Sequence, residues 1–199
     1  MKEHVKYILK NSTIFATISF LFSIIGGLFP GSEHTYIVGN PLVVSPISIE
    51  HVGGHIFWGA IVGLATLKIR YVVLGGSFAI LLDADHLLQF LDIEMVGRMS
   101  HSIPFALITV VVFLIIFKGK DLRLAAVAFS AVLAHIAFDV FLADVAFNTS
   151  SAFPLLSPFL LETINLEGMI WIGIQVIGVI IVAIVSFIST KKKLNERVV

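Results

Sequence analysis

The sequence predicts an all-α, polytopic membrane protein with about six transmembrane helices and both termini in the cytoplasm. Three observations carry this expectation. Hydrophobic residues make up 58% of the 199, charged residues only 13%, and the mean hydropathy is +1.03; a soluble domain carries about 25% charged residues. Six apolar segments approach the roughly 20 residues needed to cross a bilayer core of about 30 Å. All but one of the 13 Lys and Arg residues fall at the two ends or in alternate loops, the pattern of a cytoplasmic face. The 13 basic residues are matched by 13 acidic ones, so no net field draws in polyanions and a nucleic-acid partner is excluded. The absence of cysteine removes disulfides, thiolate zinc sites and cysteine nucleophiles.

Taken in order, the first span runs from Thr13 to Phe29 and ends at Pro30-Gly31. Lys2, Lys6 and Lys10 precede it, and with no A-x-A-like cleavage site it reads as a retained span rather than a signal peptide. The second runs from His51 to Leu67 and the third from Tyr71 to Leu91, with Lys68 and Arg70 between them. The fourth, Ile103 to Phe117, is short. Lys118, Lys120 and Arg123 separate it from the fifth, Leu124 to Phe147. The sixth, Gly168 to Ser189, is followed by Lys191, Lys192, Lys193 and Arg197. Segments 30–50, 92–102 and 148–167 then face outward, and Arg98 is the one basic residue on that side. No repeat or linker divides the chain, which reads as one domain over 1–199.

Asp83, Asp85, Asp139, His55, His86 and His135 interrupt these apolar segments. An Asp at mid-span costs about 2.5–3.5 kcal/mol on insertion scales, so something must compensate. At 1.5 Å per residue, Asp83 and His86 lie about 20 and 24 Å above Arg70, and His135 and Asp139 about 18 and 24 Å above Arg123. Counted back from Arg70, His55 lies about 23 Å up and His51 about 28 Å. His101 and Ser102 open the fourth span near that level. His135 and Asp139 share a helix face, as do Asp83 and His86. Asp85 is about 200° from Asp83 on a regular helix; it joins the same ligand sphere only if the helix is distorted, or else serves a second metal or a bridge.

This donor set suits a divalent metal. Zinc, one ion or two, accepts imidazole and carboxylate, and manganese and iron do as well. The expected ligands are His55, Asp83, Asp85, His86, His101, His135 and Asp139. Asp85, Arg98 and Ser102 are the candidate catalytic groups; the guanidinium fork of Arg98 matches a phosphate oxygen pair. Ser102 has no G-x-S-x-G context for a nucleophile, and H-E-x-x-H is absent. Whether His51, Asp92 and Asp144 join the site is left open. His4 and His34 read as solvated and Glu50 as a cap of the second span. Gly53, Gly54, Gly59, Gly63, Gly75 and Gly76 read as permitting close helix packing, and Trp58 and Trp171 as packing or interface anchors.

At these residues the chain resembles the YdjM-like family of membrane-bound metal-dependent hydrolases, also described as LexA-binding inner-membrane-associated hydrolases. The matching elements are His55-Ile-Phe-Trp-Gly59 and Leu82-Asp83-Ala84-Asp85-His86, the second with Leu for the family's Pro. They continue with Arg98-Met99-Ser100-His101-Ser102, His135-Ile-Ala-Phe-Asp139 and Pro154-Leu155-Leu156-Ser157-Pro158. In the third element Val96 stands for the leading His, and Arg98 is one place nearer His101 than in the pattern. The resemblance covers about 51–158. The family is similar in motif style to zinc-dependent phospholipase C and P1-type nucleases, which implies phosphoester hydrolysis.

The expectation is therefore a membrane hydrolase that uses metal-activated water at the outer face. Its partner is a membrane lipid or lipid-linked substrate, such as an isoprenoid carrier, whose tail stays in the bilayer. The segment Ser150–Phe159, with its two prolines, is a candidate access route for that substrate. The alternative is a transporter of divalent cations or protons, since buried Asp and His build such pathways too. A non-enzymatic protein with a merely structural metal is a third reading.

Overall fold

In a computed structural model the chain is described over residues 2–29, 48–91 and 96–198. Among these, helices form at each of the six expected places: α1 (Lys2–Ile24), α2 (Ile49–Leu64), α3 (Ile69–Leu81), α4 (Ile103–Ile116), α5 (Leu122–Phe141) and α6 (Ile170–Val198). A 3-10 turn, Ile25–Leu28, extends α1, a longer 3-10 stretch, Leu82–Leu91, extends α3, and a π-turn, Leu142–Ala146, extends α5. The fold is thus mostly helical. Four of these units, Lys2–Leu28, Ile69–Phe90, Leu122–Ala146 and Ile170–Lys192, are long and apolar enough to cross a membrane. The helix α1 begins well before Thr13, because Lys2–Ser12 continue its turns. One small departure from an all-α fold is an antiparallel pair, β1 (Ser151–Phe153) with β2 (Ile164–Leu166). It occupies the loop between α5 and α6, where the turn-rich sequence cannot continue a helix.

The centre is α5. Apolar or small residues surround its whole circumference, and nearly every side chain on it is buried. A helix that is apolar all round belongs inside a bundle. The helix α1 buries one stripe, Asn11, Phe15, Ser19 and Phe22, at the spacing of a single helix face. The pair α2/α3 packs most closely. A side chain at Gly59 would overlap the Gly75 carbonyl, and one at Gly75 would overlap that of Gly59. The glycine expectation holds at those positions and at Gly54, which the Phe138 ring covers; Gly53 faces open space among the described residues.

Polar anchors fix the end of the bundle that carries the basic residues. Asp121 caps α5 by accepting from Leu124 N at 3.2 Å, and it also accepts from Tyr7 Oη at 2.5 Å and Tyr71 Oη at 2.7 Å. One carboxylate therefore ties α1, α3 and α5 together. Arg123, buried on α5, donates to Ser186 O at 3.2 Å and Thr190 Oγ1 at 2.6 Å on α6. At the opposite end Trp58 and Trp171 pack edge to face, with centroids 5.3 Å apart. Ser48, not Glu50, caps α2, accepting from His51 N at 3.1 Å. His4 is exposed as expected. His34, Asp92 and the Pro30-Gly31 break lie outside the described residues.

Candidate metal centre

Four elements deliver the cluster. In α2, His51 and His55 are one turn apart and face inward. The α3 helix changes to 3-10 spacing at Leu82, immediately before the Asp83–Ala84–Asp85–His86 run. With three residues per turn, Asp83, His86 and Gln89 line up on one face. The change is the distortion that Asp85 needed: an oxygen of Asp85 now groups with Asp83 and His86, all three ligand atoms lying within 4.8 Å of one another. A switch from α to 3-10 spacing also frees carbonyls from their helical partners. Side chains of neighbouring helices take them, Ser19 Oγ donating to Leu82 O at 3.1 Å and His135 Nδ1 meeting Ala79 O at 2.7 Å.

The third element is the turn before α4. Val96 N donates to Gly26 O at 3.1 Å and His101 N to Arg98 O at 2.9 Å, which pins His101 at the mouth of α4. The fourth is α5 with His135 and Asp139. His55, Asp85 and His135 are fully buried, His101 nearly so, while the His51 side chain is the most open at 21%.

Asp83 lies at the centre. Its Oδ1 is 3.3 Å from His86 Nε2, 3.6 Å from His101 Nε2 and 3.3 Å from His135 Nε2. Its Oδ2 is 3.4 Å from His51 Nε2 and 3.6 Å from His55 Nε2. Asp139 Oδ1 is 3.3 Å from His55 Nε2, and its Oδ2 is 3.5 Å from His135 Nε2. These separations exceed the roughly 2.7–2.9 Å of a charge-assisted N–H···O bond. They match the edge, about 3.3–3.6 Å, of a tetrahedron whose nitrogen and oxygen corners sit about 2.0–2.2 Å from an ion.

His135 sharpens the case. Its Nδ1–H donates to Ala79 O at 2.7 Å. In its neutral form the ring turns an Nε2 lone pair toward two carboxylates, and that buried Nε2 has no hydrogen-bond partner among the described residues. Lone pairs facing one another need a positive charge between them, a proton or a metal ion, and the 3.3–3.5 Å separations suit the metal ion better. A backbone carbonyl behind the ring is also the usual way a ligating imidazole is oriented.

All seven expected ligands converge, but not in one role. Asp85 Oδ2 lies behind His101, 3.6 Å from Nδ1, and accepts from Ser100 Oγ at 3.4 Å. That oxygen is placed to orient His101. Ser102 is buried and its hydroxyl accepts from Phe105 N at 3.3 Å, capping α4. Arg98 stands in a left-handed conformation, φ 56°, with its guanidinium over the Phe153 ring at 5.3 Å. A non-glycine residue there costs about 1–2 kcal/mol. Phe153 in turn stacks on His101, with centroids 6.2 Å apart. The β-hairpin thus supplies the wall that carries Arg98. Asp144 sits in the π-turn, outside the groups of metal-ligand geometry found among the described residues.

His51 belongs to the cluster, which its i,i+4 relation to His55 already hinted. Sequence reasoning missed Gln89, whose amide lies 2.9 Å from His86 Nδ1. A ligating His86 carries its proton on Nδ1, and the Gln89 amide, turned about its last bond to bring its oxygen inward, accepts from that Nδ1–H and holds the ring with Nε2 toward Asp83. The signal was the i+3 spacing His86–Gln89, visible only once the segment is read as 3-10. Such outer partners typically contribute about 10–100-fold to metal affinity. Gln89→Leu should weaken metal binding by about that factor, and Gln89→Glu, which keeps an acceptor, should restore most of it. Competition titration against a chelator checks both.

Fold and donors together define a helical protein with membrane-length helices and a buried His/Asp group able to hold a metal ion. Comparison with protein-family models, with curated proteins and with solved structures found no match to this chain.

Proposed function

We propose that the chain is a six-span membrane enzyme, both termini cytoplasmic, that hydrolyses a phosphoester of a lipid or isoprenoid-linked substrate at the outer face. The observation that carries this reading is the His135 arrangement: a buried imidazole locked from behind by a carbonyl, its free nitrogen aimed between two carboxylates. A divalent ion on such donors polarises phosphoryl oxygens and acidifies water. His55, Asp83, His101, His135 and Asp139 would hold it, Asp85 and Gln89 would keep His101 and His86 in register, and Arg98 would bind a head-group oxygen. Large apolar side chains stand exposed on the same elements, Phe57 on α2 and Leu87 and Phe90 beyond α3. They suit a substrate whose tail stays in lipid. The resemblance to the YdjM-like hydrolases points the same way.

Transport is the weaker reading. The cluster is backed by stacked aromatics, Phe15 on Phe78 with centroids 4.5 Å apart and Phe78 on Phe113 at 5.6 Å, all fully buried. A permeation route would have to pass that plug. The apolar cavity of about 380 Å³ lined by Val110, Leu114, Ala126, Phe129, Ile181 and Val185 offers no polar path either, and contains no residue of the cluster.

The test is a metal-replete screen of purified protein against a panel of phospholipids and isoprenoid phosphates, with released phosphate or head group read by mass spectrometry. Turnover abolished by chelation and restored by zinc is the expected result. Metal-dependent flux into proteoliposomes without turnover would replace this reading with transport.

A further inference from the structure

We propose that the cluster holds two divalent ions, one on His51 and His55 and the other on His86, His101 and His135, with Asp83 bridging them. The inference deepens the hydrolase reading and rests on it for the chemistry, though not for the ions themselves.

The division follows from the atoms. Asp83 does not direct both oxygens at one set of nitrogens. Its Oδ1 faces His86, His101 and His135, while its Oδ2 faces His51 and His55. Asp139 repeats the division, with Oδ1 toward His55 and Oδ2 toward His135. Two carboxylates thus each span the same two imidazole sets. Five imidazole nitrogens also exceed what one tetrahedral ion accepts alongside carboxylate.

The rings fix the spacing. His55 and His135 stack almost parallel, with an interplanar angle of 10° and centroids 3.8 Å apart, and both turn Nε2 toward Asp83 and Asp139. Paired catalytic ions work at about 3.5–4 Å, so two ligands side by side at this distance present two neighbouring positions.

Charge favours two ions over one. Asp83, Asp85 and Asp139 bring three negative charges into a buried site whose imidazoles are neutral when they ligate. A single divalent ion leaves these carboxylates in excess, and Arg98 at the rim brings the site only to neutrality. Two ions leave it net positive with or without Arg98, which favours an anionic head group. The second ion turns a carboxylate-rich pocket into one that accepts a phosphoester.

The experiment is a metal count on the full-length protein in detergent or nanodiscs, loaded with zinc or with manganese and then desalted. Two ions per chain are expected, and the manganese form should give the electron paramagnetic resonance pattern of an exchange-coupled pair. His51→Ala should retain one ion and lose the coupling, with helix content by circular dichroism unchanged. One ion per wild-type chain with an uncoupled signal would overturn the pair and leave a mononuclear hydrolase standing. Coupling that survives in His51→Ala would overturn the assignment of ligands. A wild-type chain that binds no ion would overturn both the pair and the hydrolase reading. The wild-type count and spectrum need no variant, so a misfolded substitution cannot blur the outcome.

Discussion

Replacing Asp83 with asparagine should reduce metal affinity by more than about 100-fold, beyond the range of outer partners such as Gln89, and abolish lipid hydrolysis. Asparagine keeps the volume and one carbonyl oxygen, but it loses the charge and the second acceptor. Both imidazole sets face this one carboxylate, so both lose their common anchor. The metal-free variant should unfold at the same temperature as metal-free wild type or higher. An Asp in an apolar segment costs about 2.5–3.5 kcal/mol, and without an ion only imidazoles at 3.3–3.6 Å, longer than charge-assisted hydrogen bonds, offset it. That second measurement separates function from architecture. If the His/Asp network merely held helices together, Asp83→Asn would lower the melting temperature and leave metal content as it was. Chelation of wild type should lower its melting temperature toward that of the variant, because an ion bound to the native state adds to its stability. Acid should do the same, since ligating imidazoles must be unprotonated.

Much of this centre was legible in the sequence because its signals are expensive. Asp83, His86, His135 and Asp139 interrupt apolar segments where charge is costly, and helix rise alone places them at one level. The helices, too, were readable from hydropathy, since each of the six apolar segments forms one and four units are long and apolar enough to cross a membrane. What could not be read was local geometry. A regular helix carries Asp85 away from Asp83, and no propensity rule announces a change to 3-10 spacing over Leu82–Leu91. The cause is tertiary, in that Ser19 and His135 accommodate the carbonyls this change releases. The hairpin was hidden for a related reason. Three-residue strands carry too short a pattern to register, and Phe153 matters only through His101 and Arg98, which are distant in sequence. At Ser102 the structural role was the one overlooked. A hydroxyl beside a ligand His invites a chemical role, but a serine just before an Ile-Pro helix start is a cap.

The site depends on how closely α2 approaches α3, and two alanine substitutions should show it with opposite signs. Gly75→Ala places a methyl against the Gly59 backbone carbonyl. Backbone cannot rotate away as a side chain would, so the helices must separate. The cost should reach about 3 kcal/mol, the upper end of overpacking penalties. Gly53→Ala adds the same methyl to α2 where no described residue lies within 4 Å. There only helix propensity acts, and alanine should stabilise by about 0.8–1.0 kcal/mol. The functional consequence follows from where each glycine sits. Gly59 is one turn from His55, and Gly75 is two turns from Asp83. Opening that contact draws His55 Nε2 away from Asp83 Oδ2, now 3.6 Å apart. Thermal unfolding in one detergent, with bound metal counted in parallel, should show Gly75→Ala losing both stability and ion content while Gly53→Ala gains the first and keeps the second. Equal effects from the two substitutions would mean that the α2/α3 contact does not set the geometry of the centre.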